Sequence, residues 1–282
     1  MKLITLLAVV ALFFASCGSA PSSDGSGGGA VGRSSASKKT AVQKKEAVKF
    51  ANGDLDEYTV SEYDPSDITL LNQTRHSASS YIMDETEFIY NEGSRMLTTK
   101  VTKDDEKRLK TRVVYEHKDS RTGEPTKETV VNKAGKTLAS NVYTYDAVGN
   151  VESRSILNGN NVELARTLYT WSGGLLISSE TNDRSGKRIS SSENSYDNDG
   201  NLINQVFKNA SGAITRNITT KWQNGLEVET QQFSAEGTLQ LKITNEYGSE
   251  GEVLKRTVEN YQGKSKQIRE FEYDYRPNRG RT

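Results

Sequence analysis

Cysteine is almost missing from this 282-residue chain: one residue, Cys17, so no internal disulfide can staple the fold. Histidine is nearly as rare, with His76 and His117 only, and neither shares a local motif with carboxylates or cysteine at metal-ligand or triad spacing. Both are expected as surface strand or turn residues. No P-loop and no nucleophile elbow occurs. Asp197-Asn198-Asp199-Gly200 hints at a calcium loop but fails the spacing, with Ser195 at the first ligand position and Val206 at the last, so turn chemistry is the reading. Excess charge of either sign is also absent, with 37 basic and 37 acidic residues. A nucleic-acid partner, which would need a basic face, is therefore excluded from the expectation. Apolar residues are scarce too, at 33% with a mean hydropathy of −0.71, too few for a thick two-layer core over this length. Helical periodicity is lacking after residue 50. The expectation is a protein with no catalytic residue, no cofactor and no metal.

What is present is a period. Tyr63, Tyr90, Tyr115, Tyr145, Trp171, Tyr196, Trp222, Tyr247 and Tyr273 each precede a turn, mostly 25 to 27 residues apart. The longer step from Tyr115 to Tyr145 is read as a longer turn at Lys118 to Pro125. Glycines close these turns at Gly93, Gly149, Gly174, Gly200, Gly225 and Gly251, with Asp67 in that place in the first unit. A second series falls midway, at Gly53, Gly135, Gly159, Gly186, Gly212, Gly237 and Gly263. Between turns, residues alternate with period 2, as in Ala165-Thr167-Tyr169-Trp171 against Arg166-Leu168-Thr170. The fold class is all-β: an antiparallel meander of about nine β-hairpin repeats of roughly 26 residues. The expected form is an extended, single-layer or partly curled sheet, with a narrow sandwich as a further geometry. Its end strands would be free edges, protected in the last strand by Lys266, Arg269, Glu270 and Glu272. A membrane-spanning barrel is set aside because charges fall on both faces: Glu85, Glu87, Arg166, Glu193, Lys242, Glu270 and Glu272 on one, Arg154, Arg216 and Arg269 on the other.

The domain plan has four parts. Residues 1–17 read as a secretory signal: Lys2, then an apolar run from Leu3 to Phe14 that is too short to span a bilayer. Phe14-Ala15-Ser16-Cys17 resembles a bacterial lipobox, with Phe14 where most carry leucine. That resemblance implies lipidation at Cys17, a membrane partner through the anchor, and a place in the cell envelope, at the outer membrane. Residues 18–47 read as a flexible Ser/Gly/Lys-rich tether, with Lys38 to Phe50 a short solvated helix or coil. Residues 48–275 form the repeat domain, and 276–282, with Arg276, Arg279 and Arg281, a solvated basic tail.

Tyr143-Thr144-Tyr145-Asp146-Ala147-Val148-Gly149-Asn150 and Tyr196-Asp197-Asn198-Asp199-Gly200-Asn201 resemble the YD repeat of the RHS-like families, Asn194 standing where the first tyrosine would be in the second copy. Tyr63-Asp64, Tyr247 to Gly251 and Tyr273-Asp274 are weaker copies. The resemblance implies a β-hairpin array and little about activity. A recognition stripe is the one candidate site: Tyr145, Trp171, Tyr196, Trp222, Tyr247 and Tyr273, placed to stack on a glycan or a protein ligand, or else to pack on one another and cover the sheet. The function expected is a non-enzymatic envelope lipoprotein that presents a repetitive sheet for binding or adhesion. The alternative is a periplasmic accessory that holds an envelope protein or lipid.

Overall fold

The computed structural model describes residues 39–118 and 123–277. Cys17, the signal and lipobox, tether residues 18–38, the middle of the Lys118–Pro125 turn, and Arg279 and Arg281 lie outside the described residues.

Eighteen antiparallel strands follow one another: β1 (Lys39–Phe50), β2 (Leu55–Tyr63), β3 (Leu70–Ser77), β4 (Ile82–Tyr90), β5 (Leu97–Asp104), β6 (Leu109–Glu116), β7 (Lys127–Val131), β8 (Thr137–Tyr145), β9 (Val151–Asn158), β10 (Glu163–Ser172), β11 (Leu175–Asp183), β12 (Arg188–Tyr196), β13 (Leu202–Asn209), β14 (Ile214–Gln223), β15 (Leu226–Ser234), β16 (Leu239–Tyr247), β17 (Val253–Asn260) and β18 (Ser265–Pro277). Each pairs with the next, and β1 pairs with β18 from Lys39↔Pro277 to Phe50↔Gln267. The meander therefore closes into a β-barrel, correcting the open or curled sheet expected above. Closure satisfies the backbone groups that a free edge would leave in water, which is how a sheet with so little apolar mass avoids edge exposure.

Closure also revises the boundaries. Lys39 to Ala47, expected in the tether, belong to β1. The lysines of that segment face the last strand's acids: Lys44 Nζ lies 3.7 Å from Asp274, Lys45 3.4 Å from Glu272 and Lys49 2.5 Å from Glu270. Of the charges read as edge protection, Arg269, Glu270 and Glu272 are thus part of the seam, while Lys266 pairs with Glu259 on β17. Arg276, expected in the tail, lies in β18; its guanidinium donates to the carbonyls of Asp64 (2.5 Å) and Asp67 (3.0 Å) and sits over the Tyr63 ring.

The turns explain the glycine series. Gly173-Gly174 and Asn224-Gly225 are two-residue turns with positive φ at both positions, 58° and 79°, then 54° and 74°, the combination that matches strand twist. In the two best YD copies the aspartate organises a longer turn. Asp146 Oδ1 accepts from the amides of Val148 (3.0 Å) and Asn150 (2.9 Å), and Asn150 Nδ2 donates to Oδ2 (2.9 Å). Asp197 and Asn201 repeat the arrangement. Three glycines read as turn closers do not take the left-handed position: Arg95, Asn161 and Lys264 do so instead of Gly93, Gly159 and Gly263.

Among the described residues the buried hydrophobic side chains are Val42, Val48 and Val101, too few for a conventional core, and each strand contacts only its neighbours in the ring. Eighteen strands at ~4.8 Å give a wall roughly 30 Å across, a size that leaves a wet interior.

Candidate functional site

Odd strands start, and even strands end, at one mouth of the barrel, so the periodic aromatics collect there as a belt. Each spends its polar edge on a backbone carbonyl 20 residues earlier. Tyr63 Oη donates to Gln43 O (3.0 Å), Tyr90 to Leu70 O (2.8 Å), Tyr145 to Pro125 O (2.7 Å), Tyr196 to Leu176 O (2.7 Å), Tyr247 to Glu227 O (2.6 Å) and Tyr273 to Val253 O (2.9 Å). Trp171 and Trp222 do the same through Nε1, to Val151 O (2.8 Å) and Leu202 O (2.9 Å).

The ninth member is His117, not Tyr115. Its Nε2 lies 2.7 Å from Leu97 O, and since a carbonyl only accepts, Nε2 carries the hydrogen. His117, expected as a surface strand or turn residue, lies in the turn after β6 but is part-buried and bonded there, and it shortens the anomalous step, since His117 to Tyr145 is 28 residues. Tyr115 sits one residue pair deeper on the same face, opposite Glu128. Burial and the Glu128 charge push its hydroxyl up to about 12.

A β-bulge accompanies most belt positions. The register skips Leu71, Thr98, Glu152, Ile177, Ile203, Val228 and Leu254 opposite the strand carrying the aromatic, and Lys44 in the closing strand. The acceptor is in each case the residue just before the skipped one. A bulge takes a carbonyl out of the ladder, and the aromatic donor of the next strand supplies the missing partner.

These links run on around the wall. Tyr63 is in register with Leu70, whose carbonyl accepts from Tyr90; Tyr90 is in register with Leu97, whose carbonyl accepts from His117. From Tyr145 onward the alternation continues unbroken to Tyr273, which is in register with Gln43, whose carbonyl accepts from Tyr63. The expected recognition stripe is therefore brought together at one mouth with its donors already committed to the backbone. Desolvation raises the pKa of Tyr63, Tyr90, Tyr247 and Tyr273, consistent with half-buried hydroxyls.

The register separates two faces. The belt face is the more covered: Thr167 is 6% exposed, against 45% for Leu168 beside it. It carries Arg75, held by Glu57 (2.7 Å) and Asp84 (2.6 Å), and also Lys100, Arg154, Arg216, Arg256 and Arg269. The other face is a lattice of Lys–Glu pairs, including Lys208–Glu193 (2.6 Å), Lys221–Glu229 (2.6 Å), Lys242–Glu229 (2.8 Å) and Lys255–Glu246 (2.7 Å). A shallow pocket on that face, of ≈ 260 Å³, is lined by Leu71, Asn72, Glu85, Glu87, Val101 and Lys103. Its charges are already paired, Lys103 with Glu87 (3.5 Å) and Lys107 with Glu85. Among the described residues no group of three or more His, Cys, Asp or Glu is placed to hold a metal ion.

No family model and no curated protein matches the chain. Among solved structures it is similar to a porin-like protein from Bacteroides uniformis, at 10% identity over 82% of this chain and 96% of that one, with a TM-score of 0.43. A porin-like protein from Bacteroides vulgatus is similar at 10% identity over 83% and 99%, with a TM-score of 0.37. A chain of the Photorhabdus luminescens Tc holotoxin pore is similar at 12% identity over 79% of this chain but 15% of that one, with a TM-score of 0.30.

Proposed function

We propose that this chain is a non-enzymatic, lipid-anchored protein of the cell envelope, tethered at Cys17 to the outer membrane, whose barrel is a binding module. The observation that carries the reading is a closed barrel with charged residues on both faces. A lipid-facing wall needs a continuous apolar band about 25 Å tall. Neither face offers one, because Lys–Glu pairs run along one and arginines punctuate the other. Both faces then belong in water. Curvature crowds side chains on the concave side, so the covered belt face is read as the lining of the lumen and the Lys–Glu lattice as the outside. A hollow polar barrel held off the bilayer suits capture or display of a ligand, a protein or glycan among the classes expected. The second reading, a periplasmic accessory that holds an envelope protein or lipid, is favoured by the same open interior.

Protease shaving of intact cells, with lysed cells as control, separates the two readings. Loss of the protein on intact cells supports surface display, and protection until lysis supports the periplasmic role. Fractionation of Cys17→Ser tests the anchor. Release into the soluble fraction is expected, and retention in the membrane with the wild type's extraction behaviour would refute it.

A further inference from the structure

We propose that Arg256 and Arg269, side by side on the belt face, form a binding site for an oxyanion: a carboxylate or a phosphate monoester. The two arginines are directly opposite each other on β17 and β18. Like charges in that relation repel, so the pair is tolerated only with compensation. One carboxylate supplies half of it: Glu46 Oε1 accepts from Arg269 Nη1 at 2.9 Å, and Gln267 Oε1 accepts from Arg269 Nε at 3.0 Å. Among the described residues Arg256 makes no ion pair, and its single hydrogen-bond partner is Asn245 Oδ1, which accepts from Nε at 2.8 Å.

Asn245 is buried at 6% exposure, and its Nδ2 donates to the bulge carbonyl of Glu227 at 2.8 Å. The amide is thereby fixed in orientation, and it fixes the guanidinium in turn. Both Nη groups of Arg256 are left without a hydrogen-bond partner among the described residues, a fork of the kind that matches a carboxylate or phosphate through two parallel hydrogen bonds.

The repeat supplies internal controls. At the positions corresponding to Asn245 and Arg256 in other hairpins the two residues likewise bond to each other, Gln73 Nε2 to Ser61 Oγ (3.2 Å) and Gln205 Nε2 to Asn194 Oδ1 (2.9 Å), but their partners across the next strand are uncharged, Gln73↔Thr86 and Gln205↔Ile218. At Phe88–Lys100 the ammonium lies 5.5 Å from the ring centroid. Phe271, Val258 and Ile243 share the face next to the arginines and would favour an anion carried on an apolar body.

This site rests on the reading of the barrel as a binding module. The purified full chain is titrated with inorganic phosphate and, separately, with benzoate, at ionic strength matched by chloride, with calorimetry as readout. Binding of at least one probe beyond chloride is expected, weakened tenfold or more in Arg256→Gln and unchanged in Lys103→Gln on the other face. Glu46→Gln releases Arg269 and is expected to tighten the same probe several-fold, an outcome that an Arg256 variant failing to fold leaves untouched. Preference for phosphate assigns the site to phosphate monoesters, and preference for benzoate assigns it to organic carboxylates. No binding beyond chloride, unchanged binding in Arg256→Gln, equal loss in Lys103→Gln, or weaker binding in Glu46→Gln would overturn the site. None of these results alters the shaving and fractionation outcomes that decide the function.

Discussion

Removing one hydroxyl from the belt should have a cost that depends on who else serves the same carbonyl. Among the described side chains Leu70 O accepts from Tyr90 alone, since the residue two before Tyr90 is Phe88. Leu176 O accepts from Tyr196 (2.7 Å) and also from Asn194 Nδ2 (2.8 Å). Tyr90→Phe therefore leaves a half-buried bulge carbonyl without its side-chain donor, which costs roughly 1–2 kcal/mol. Tyr196→Phe leaves Asn194 in place and should cost about 0.5 kcal/mol or less. Asn194→Ala together with Tyr196→Phe strips the carbonyl, so the double variant should exceed the sum of the singles by about 0.5–1 kcal/mol. Urea unfolding followed by tryptophan fluorescence reads these differences, and thermal midpoints should fall by about 2–4 °C per kcal/mol for a barrel of this size. Equal costs for Tyr90→Phe and Tyr196→Phe, or an additive cycle, would refute the idea that the belt exists to satisfy bulge carbonyls.

Other outcomes follow from the same geometry. Gly159→Ala should destabilise by about 1–3 kcal/mol in thermal unfolding, because a Cβ there is driven into the Thr137 carbonyl oxygen. Gly200→Ala, which meets only a positive φ of 82°, should cost about 1 kcal/mol. The carboxyls of Asp146 and Asp197 are held below their ordinary range, first by the Asn150 and Asn201 side chains and then by backbone amides. Their stabilisation is present above the unfolded-state pKa and is lost as pH falls through the lowered folded value; acid unfolding of Asp146→Asn and Asp197→Asn should show a flatter limb below about pH 4. Tyr115, pushed up to about 12, keeps its proton in the fold longer than in the unfolded chain, so it stabilises below pH 10 and loses that contribution as pH rises to 12. Alkaline unfolding of Tyr115→Phe should lack that loss. Deletion of β1, Lys39–Phe50, should give oligomers in light scattering. β2 and β18 both run antiparallel to β1, hence parallel to each other, and cannot close by the pairing used elsewhere.

The hairpin array was legible because turn chemistry is local. Asn224-Gly225 and Gly173-Gly174 declare tight turns, and the alternation around Trp171 declares a strand, each within a few residues. The faces were legible too, since Glu85 and Glu270 fall opposite to Arg154 and Arg269 once alternation is counted along each strand. Closure was not legible. It depends on whether Lys39–Phe50, whose lysine-rich sequence suits a solvated coil equally well, finds Asp274, Glu272 and Glu270 more than 200 residues away. His117 was missed because aromatic spacing was followed by residue type. What the carbonyl requires is a ring with an N–H or O–H at that place, a criterion that admits histidine and passes over Tyr115. The arginine pair was equally hidden, since Arg256 and Arg269 become neighbours only through the β17–β18 register.

The belt's bookkeeping by hairpin has a consequence for how such a chain can change in size. Every belt donor and its acceptor lie in a single hairpin, and, His117 aside, the residue in register with that donor is the next hairpin's acceptor. A duplicated unit of about 26 residues would arrive with its own donor and acceptor and would splice between two neighbours without altering either. It would add two strands, preserve the antiparallel seam between first and last, and widen the wall by about 3 Å. Duplication of one strand would make the seam parallel and leave a carbonyl without a donor. Diameter in such a lineage should therefore step in whole hairpins, with internal gene duplication or deletion as the natural unit of change.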